Sequence, residues 1–588
     1  MPRSARHFIK EIRKIKIIPK ILTRKEKSAV SVLSILALLS LAVLGIQFVN
    51  SRTVFLPKNG GTYIEGMAGS PKLINPLFAS ANEIDNDLAH LLFNGLFKNK
   101  NGEIVPDLAT GYTVSDDKLT YTIKLRTDVL FHDRVPLTAD DVVFTVQTAQ
   151  NEAVGSSLYG SIRGVKIKKI DDATVEFTLQ QQFAPFPSVL TFGIIPKHIW
   201  ETIPVEAMRL ADGNIKTPIG TGPFKIKRFK RDNLGVIKSY TLARNEEYFI
   251  HAPYLNEITI KFYADIETAI EGLRNKNVDG LRYAPAGYQQ KIAGKKVKIE
   301  SISLPQYAAV FFNTTRNTRL ASYDVRAALA QAINKTELVK TALAGGGLAI
   351  DSPILPGFLG FHPNIKKYPY DPKEAENRIA SAGWKKITRE EYIKNNPELS
   401  GAAQQFFWEK GDDTLSVTLT TVDSPETETV AAFVKKQWEQ VGVIVVLDIV
   451  SKKELGGSVI GPRNYDALLI GNNVGADPDP YAFWHSSQIE SPGGVNLALY
   501  KNQKADAILE EARKLADRGE RAKKYVAFQD ILAEDIPAIF LYNPTYQYPI
   551  STDLKGFSAG AISVQADRFN YAEEWYVKTK RKFVLGNE

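Results

Sequence analysis

Apolar side chains recur along this chain with three different spacings, and each spacing predicts a different element. Across residues 119–126 they fall on every second position (Leu119, Tyr121, Ile123, Leu125), as they do again at Val175, Phe177 and Leu179. Alternation of that kind predicts strands with one wet face. Between the two strands, Thr138-Ala139-Asp140-Asp141 opens a helix in capping-box form, with Val142, Val143 and Val146 along one side. Helical spacing returns at Val325, Ala328, Leu329, Ala332 and Ile333. Asn334-Lys335-Thr336-Glu337 then caps a second helix that buries Leu338, Val339, Ala342 and Leu343 and ends at Gly345-Gly346-Gly347. Two more helices are expected around Ala505–Leu515 and Tyr525–Leu532, followed by a strand at 538–542. Strand and helix alternate, so the fold class is α/β.

The third spacing is no spacing at all: residues 29–49 are 21 consecutive positions without a charge. As a helix they are about 30 Å long, enough to cross a bilayer. Residues 1–28 carry ten Lys or Arg against Glu11 and Glu26, so this basic tail is expected in the cytoplasm and everything after residue 50 outside it. The competing reading is a cleaved secretory signal. Against it stand the length of the apolar run and the absence of an A-x-A-like site around Phe48-Val49-Asn50-Ser51-Arg52. With no cysteine in the chain there is no residue to lipidate, and the helix itself is the expected tether.

Charge changes meaning once its position is considered. The formal net charge is +9, but the first 28 residues account for +8 of it. The exported part is close to neutral, and no nucleic-acid partner is expected. About 530 residues lie beyond the helix, more than one ordinary core holds, so two or more lobes are expected.

Catalytic chemistry finds little support. The seven histidines include no i, i+4 pair and no H-E-x-x-H, there is no G-x-S-x-G elbow, and cysteine-ligated metal is excluded. The glycine triplet follows a helix and lacks the Lys-Ser/Thr of a phosphate loop, so a helix C-terminal turn is the better reading. Adjacent acids at Asp116-Asp117, Asp140-Asp141, Asp171-Asp172 and Asp412-Asp413 sit where turns and caps place them. No enzyme activity, metal or cofactor is expected.

A series of short motifs is more informative. In order they are Gly60-Gly61-Thr62, Ile74-Asn75-Pro76-Leu77, Leu92-Phe93-Asn94-Gly95-Leu96, Pro106-Asp107-Leu108-Ala109, Phe131-His132-Asp133, and Pro136 to Val142. Pro218-Ile219-Gly220-Thr221-Gly222-Pro223-Phe224, Phe312-Asn313, Asp324 to Leu329 with Ala332-Ile333-Asn334, and Ala476-Asp477-Pro478-Asp479-Pro480 complete the set. Together they resemble the extracellular solute-binding proteins of peptide ABC importers (solute-binding protein family 5, dipeptide- and oligopeptide-binding type), over nearly all of residues 57–575.

The resemblance implies a type II periplasmic-binding fold, two α/β lobes closing on solute, here preceded by one transmembrane helix. Lobe I is expected at 57–306 plus 541–588, with a subdomain near 78–215, and lobe II at 307–540, with crossovers at 307–313 and 540–543. It implies a peptide ligand, an ABC permease as partner and a membrane-held, extracytoplasmic location. An extended peptide offers main-chain hydrogen bonds and charged ends, and its amine needs a buried acid. By resemblance that acid is Asp477, or Asp479 if the register slips by two; the competing reading is a turn built by Asp-Pro-Asp-Pro. Asn82, Glu83, Asn313, Arg463 and Trp484 complete the candidate contacts; Arg463 either faces a terminal carboxylate or is an ordinary surface arginine, and Trp484 reads as core more than as a ligand contact. Asn473-Val474-Gly475 stands where many relatives have a Trp, and Arg134 where Gly is common, which puts the solute in question more than the fold. A nickel complex or an oligosaccharide on the same fold, and a chaperone-like peptide-holding protein, are the alternatives.

Overall fold

The computed structural model describes residues 23–583 apart from 286, 293, 295, 398–403, 476 and 491–493; the basic tail before Thr23, and Ala476 of the Asp-Pro motif, lie outside the described residues. The chain divides into two compact units, the larger spanning Gly60–Trp575 and the smaller combining Met1–Asn59 with Tyr576–Glu588.

In the smaller unit a single helix, Arg24–Ser51, contains the whole apolar run. Thr23 caps it, accepting from the Glu26 amide while the Glu26 carboxylate accepts from the Thr23 amide at 2.8 Å. None of its side chains is buried in the protein. The strand Thr53–Lys58 follows at once and pairs antiparallel with Lys578–Phe583, Thr53 opposite Phe583 and Lys58 opposite Lys578.

The larger unit is organised by one mixed sheet. From one edge its strands are Ile444–Val450, Ser416–Val422, Ala467–Asn473, Gln306–Phe312, Ala538–Ser551, Gly280–Leu281, Thr62–Ala68, Glu257–Tyr263, Ile237–Arg244 and Phe224–Arg231. The 14-residue strand Ala538–Ser551 is its spine. Its first half pairs with Gln306–Phe312 and its second with Val297–Ser303. The expected crossover at 540–543 is therefore part of a longer strand, because Pro544 and Pro549 sit inside it without ending it.

Alternation explains the apolar run Tyr307–Phe312. Ala308, Val310 and Phe312 point into one core with Leu329, Val434 and Trp438, while Tyr307, Ala309 and Phe311 point into another with Trp484, Tyr525 and Phe540. A strand covered on both faces has no polar side to show. Burying a side chain of this size contributes roughly 1.5–3 kcal/mol.

A second, four-stranded sheet (Ala109–Val114, Thr120–Leu125, Thr174–Thr178, Lys166–Asp171) carries the two strands read from alternation. The helix Ala139–Gln150 begins with the expected Thr138–Asp141 capping box. Helices at Tyr323–Gln331, Lys335–Thr341, Gln503–Lys514 and Arg518–Asp535 match the other apolar stripes. The glycine triplet closes a helix: the Gly345 amide bonds to Val339 O, with φ +80° at Gly345.

Several motifs meet in one knot beside the sheet. His132 accepts from the Gly220 amide at Nδ1 (3.3 Å) and its Nε2 lies 3.1 Å from Gly222 O. That pair of bonds suits the neutral ring, and burial pushes its pKa down to about 4. Thr221 donates to Asn94 Oδ1 at 3.1 Å, and Asn94 donates to Asp107 Oδ2 at 2.8 Å. A Cβ on Gly222 would lie 2.4 Å from the carbonyl carbon of Leu92 and one on Gly220 2.1 Å from its oxygen, so both glycines are demanded by close approach.

Candidate cleft at the crossover strands

Where the Ala467–Asn473 strand outruns its neighbour, the sheet opens into a cavity of about 280 Å³. The Ser416–Val422 strand meets this one only at Ala467, Leu468 and Leu469, so positions 470–473 have no strand on that side among the described residues. On the other side they pair with Gln306–Ala309. Glu426, Thr427 and Val430, from the first turns of helix Pro425–Gln440, face this edge, with Tyr542 and Pro544 at the back. Glu426 accepts from the Tyr542 hydroxyl at 2.8 Å, and Tyr307 bonds with Asn472 Nδ2 at 3.1 Å. Chemically the cavity offers main-chain donors and acceptors, carboxamides and one carboxylate. That combination suits an extended polyamide with a cationic group.

Asp477 follows the free edge by four residues. It sits under helix Arg518–Asp535, where Arg521 Nη2 donates to its Oδ2 at 2.8 Å, and both side chains are under 10% exposed. Asp477 Oδ1, Arg521 Nε and Nη1, and the Tyr525 hydroxyl have no hydrogen-bond partner among the described residues. Burial holds the Asp477 carboxyl above the usual range; Arg521 opposes that and Asp479 adds to it. Asp479 is bound by Arg513 Nε at 2.7 Å and also takes the Tyr481 amide, so it shapes the turn as well. Arg513 lies 3.8 Å over the Tyr481 ring and 5.6 Å from that of Phe183, and its carbonyl accepts from the Ala184 amide at 3.1 Å.

The other expected contacts are dispersed. Asn82 caps helix Glu83–Leu92, accepting from the Ile84 and Asp85 amides. Glu83 reaches Arg282 at 2.8 Å, and Arg282 belongs to a buried charge cluster in which Arg568 holds Glu65 and Asp87. Asn313 and Arg463 do meet, but through the frame: Asn313 Nδ2 donates to Arg463 O at 3.0 Å. The Arg463 guanidinium donates to Ile489 O and Gly494 O, and its buried Nη1 has no hydrogen-bond partner among the described residues. Trp484 is fully buried against Phe311, Phe540 and Tyr500.

Glu426, Gln306, Asn472 and Tyr542 were not anticipated. The signal that could have found them is the length mismatch between strands, which only pairing reveals. Arg521, 44 residues from its partner, had no sequence signal.

Comparison with known proteins agrees with the motifs. Residues 103–495 match the profile of the bacterial extracellular solute-binding proteins, family 5 Middle. The oligopeptide-binding protein AppA of Bacillus subtilis (strain 168) is 28% identical over 571 residues, covering 94% of this chain and all of the relative. The structure of that protein in complex with a nonapeptide superposes with a TM-score of 0.62, over 89% of this chain and 100% of that one. NikZ from Campylobacter jejuni, solved with Ni(L-His), is 27% identical with a TM-score of 0.63 over 89% of this chain and 100% of its own. The α/β fold expected from the motifs is the fold of these neighbours, and the chain belongs to the bacterial extracellular solute-binding proteins of family 5.

Proposed function

We propose that this protein captures peptides outside the cytoplasm and delivers them to the transmembrane subunits of an ABC importer, without chemistry of its own. The observation that carries the reading is the unpaired edge at 470–473 opening into the cavity beside Glu426. A peptide laid there as an added strand gains main-chain bonds that ignore side-chain identity. The AppA relative, which binds oligopeptides and was solved with a nonapeptide, supports a peptide over the nickel complex held by NikZ. Among the described residues no group of three or more His, Cys, Asp or Glu is placed to hold a metal ion.

In this reading the lobes are those expected from the motifs and hinge where the crossovers change partners. Asn543 supports that position, since its Nδ2 donates to both Leu304 O (2.7 Å) and Gln306 O (2.6 Å). Asp477 Oδ1, buried and without a hydrogen-bond partner among the described residues, is the acceptor for the ligand amine once the lobes part, and Glu426, which lines the cavity, is a second acid for the bound chain. Asn313 and Trp484 serve the frame. Helix Arg24–Ser51 stays uncleaved and holds the receptor at the membrane with its N-terminus in the cytoplasm; its 28 residues span about 42 Å, longer than the hydrocarbon core.

Hydrogen exchange of the full chain, with and without a pool of short synthetic peptides, tests the edge. Amides at 470–473 are expected to exchange more slowly with peptide present. Peptide binding that leaves those amides unchanged contradicts strand addition.

A further inference from the structure

The ribbon that follows the apolar helix concentrates cations that no acid neutralises among the described residues. Arg52, Lys58, Lys578, Lys580, Arg581 and Lys582 lie in or beside its two strands, with no acid in 52–58 or 578–583. None of the six forms an ion pair among the described residues. Every residue of Lys578–Phe583 is exposed.

The register sorts the side chains by face. Lys578, Lys580 and Lys582 share one face with Lys58, Leu56 and Val54; Arg581 and Phe583 share the other with Phe55. Lys58 stands directly opposite Lys578, and like charges in that position repel. On the second face Arg581 lies 5.0 Å over the Phe55 ring, and Phe583 is 6.4 Å from Phe48, in the last turns of the helix. An isolated two-stranded ribbon is marginal in water, and this one adds uncompensated charge.

We infer that the ribbon is a docking surface for the anionic headgroups of the bilayer that the helix enters. Charge complementarity and continuity with the helix carry the assignment: Arg52 is the helix C-cap and Thr53 begins the strand, so the cations start where the apolar run stops. Lipid phosphates offset the Lys58–Lys578 repulsion, and exposed Val54, Phe55 and Phe583 suit the headgroup boundary. The chain thereby ties both ends of the receptor, residues 53–58 and 578–583, to one membrane face. This rests on the reading of the helix as an uncleaved anchor.

The test places the full chain in nanodiscs of phosphatidylcholine alone or with phosphatidylglycerol added, and follows hydrogen exchange at 53–58 and 578–583. Exchange is expected to slow at least about threefold in the anionic discs at low salt and to recover at high salt. The triple variant K578S/K580S/K582S, all exposed positions, is expected to lose the difference between discs. A chain that stays with the discs but exchanges alike in both overturns the inference alone. A chain that does not stay with the discs overturns the anchor and the inference with it.

Discussion

Asp477 shows what a single position can and cannot announce. The Asp-Pro-Asp-Pro string marks it as a special acid, but its closest charge is Arg521, on a helix that sequence places only by its apolar stripe. Breaking a buried pair leaves the survivor uncompensated, which is worse than losing both. Asp477→Asn is expected to destabilise the protein by about 3 kcal/mol in denaturant titration, and the double variant D477N/R521M by clearly less. A double variant that loses as much as Asp477→Asn or more would contradict the idea that the uncompensated Arg521 causes the loss. Glu573 gives a pH test. Burial raises its carboxyl to about 7, against the Lys98 charge 4.0 Å away that pulls it down. The folded chain keeps that proton between about 4.5 and 7, where the unfolded chain has released it, so this group's contribution falls as pH rises through that window. The loss is at most about 3 kcal/mol. Glu573→Gln is expected to match the parent near pH 4.5 and to melt higher than it at pH 8; a constant difference across that range contradicts the shift.

At the scale of elements, what sequence shows is what is local. The Thr138 capping box, the Asn334 cap, the helix stripes and the alternation at 119–126 involve neighbours within a turn or a strand, and each appears where expected. The spine strand was legible for five of its fourteen residues, because the remainder mixes Pro, Thr, Gln and Tyr and is held as strand by Val297–Ser303 rather than by its own propensity. The glycines of 218–224 were recognised as a motif without a reason. Their reason is contact with Leu92, and Gly222→Ala is expected to cost at least about 2 kcal/mol in thermal or denaturant unfolding, since backbone stands where the methyl must go. A neutral substitution there would mean that the loop moves away freely.

For the whole molecule, the apolar run and the motif order sufficed for the long apolar helix and the family, whereas the cleft required three-dimensional pairing. Its free edge exists because one strand ends before another, a difference of four residues that no periodicity records. The proposed anchor is tested at the same scale. The full chain is expected to resist alkaline extraction from membranes, while a version starting at Arg52 is released; release of both contradicts an uncleaved, spanning helix.

Identification by mass spectrometry of what leaves the purified full-length protein on denaturation tests the central claim most directly. Short peptides of varied sequence, recovered in amounts near that of the protein and lost on exchange against a synthetic peptide, are the predicted result. Recovery of a sugar or a metal complex without peptide contradicts the account.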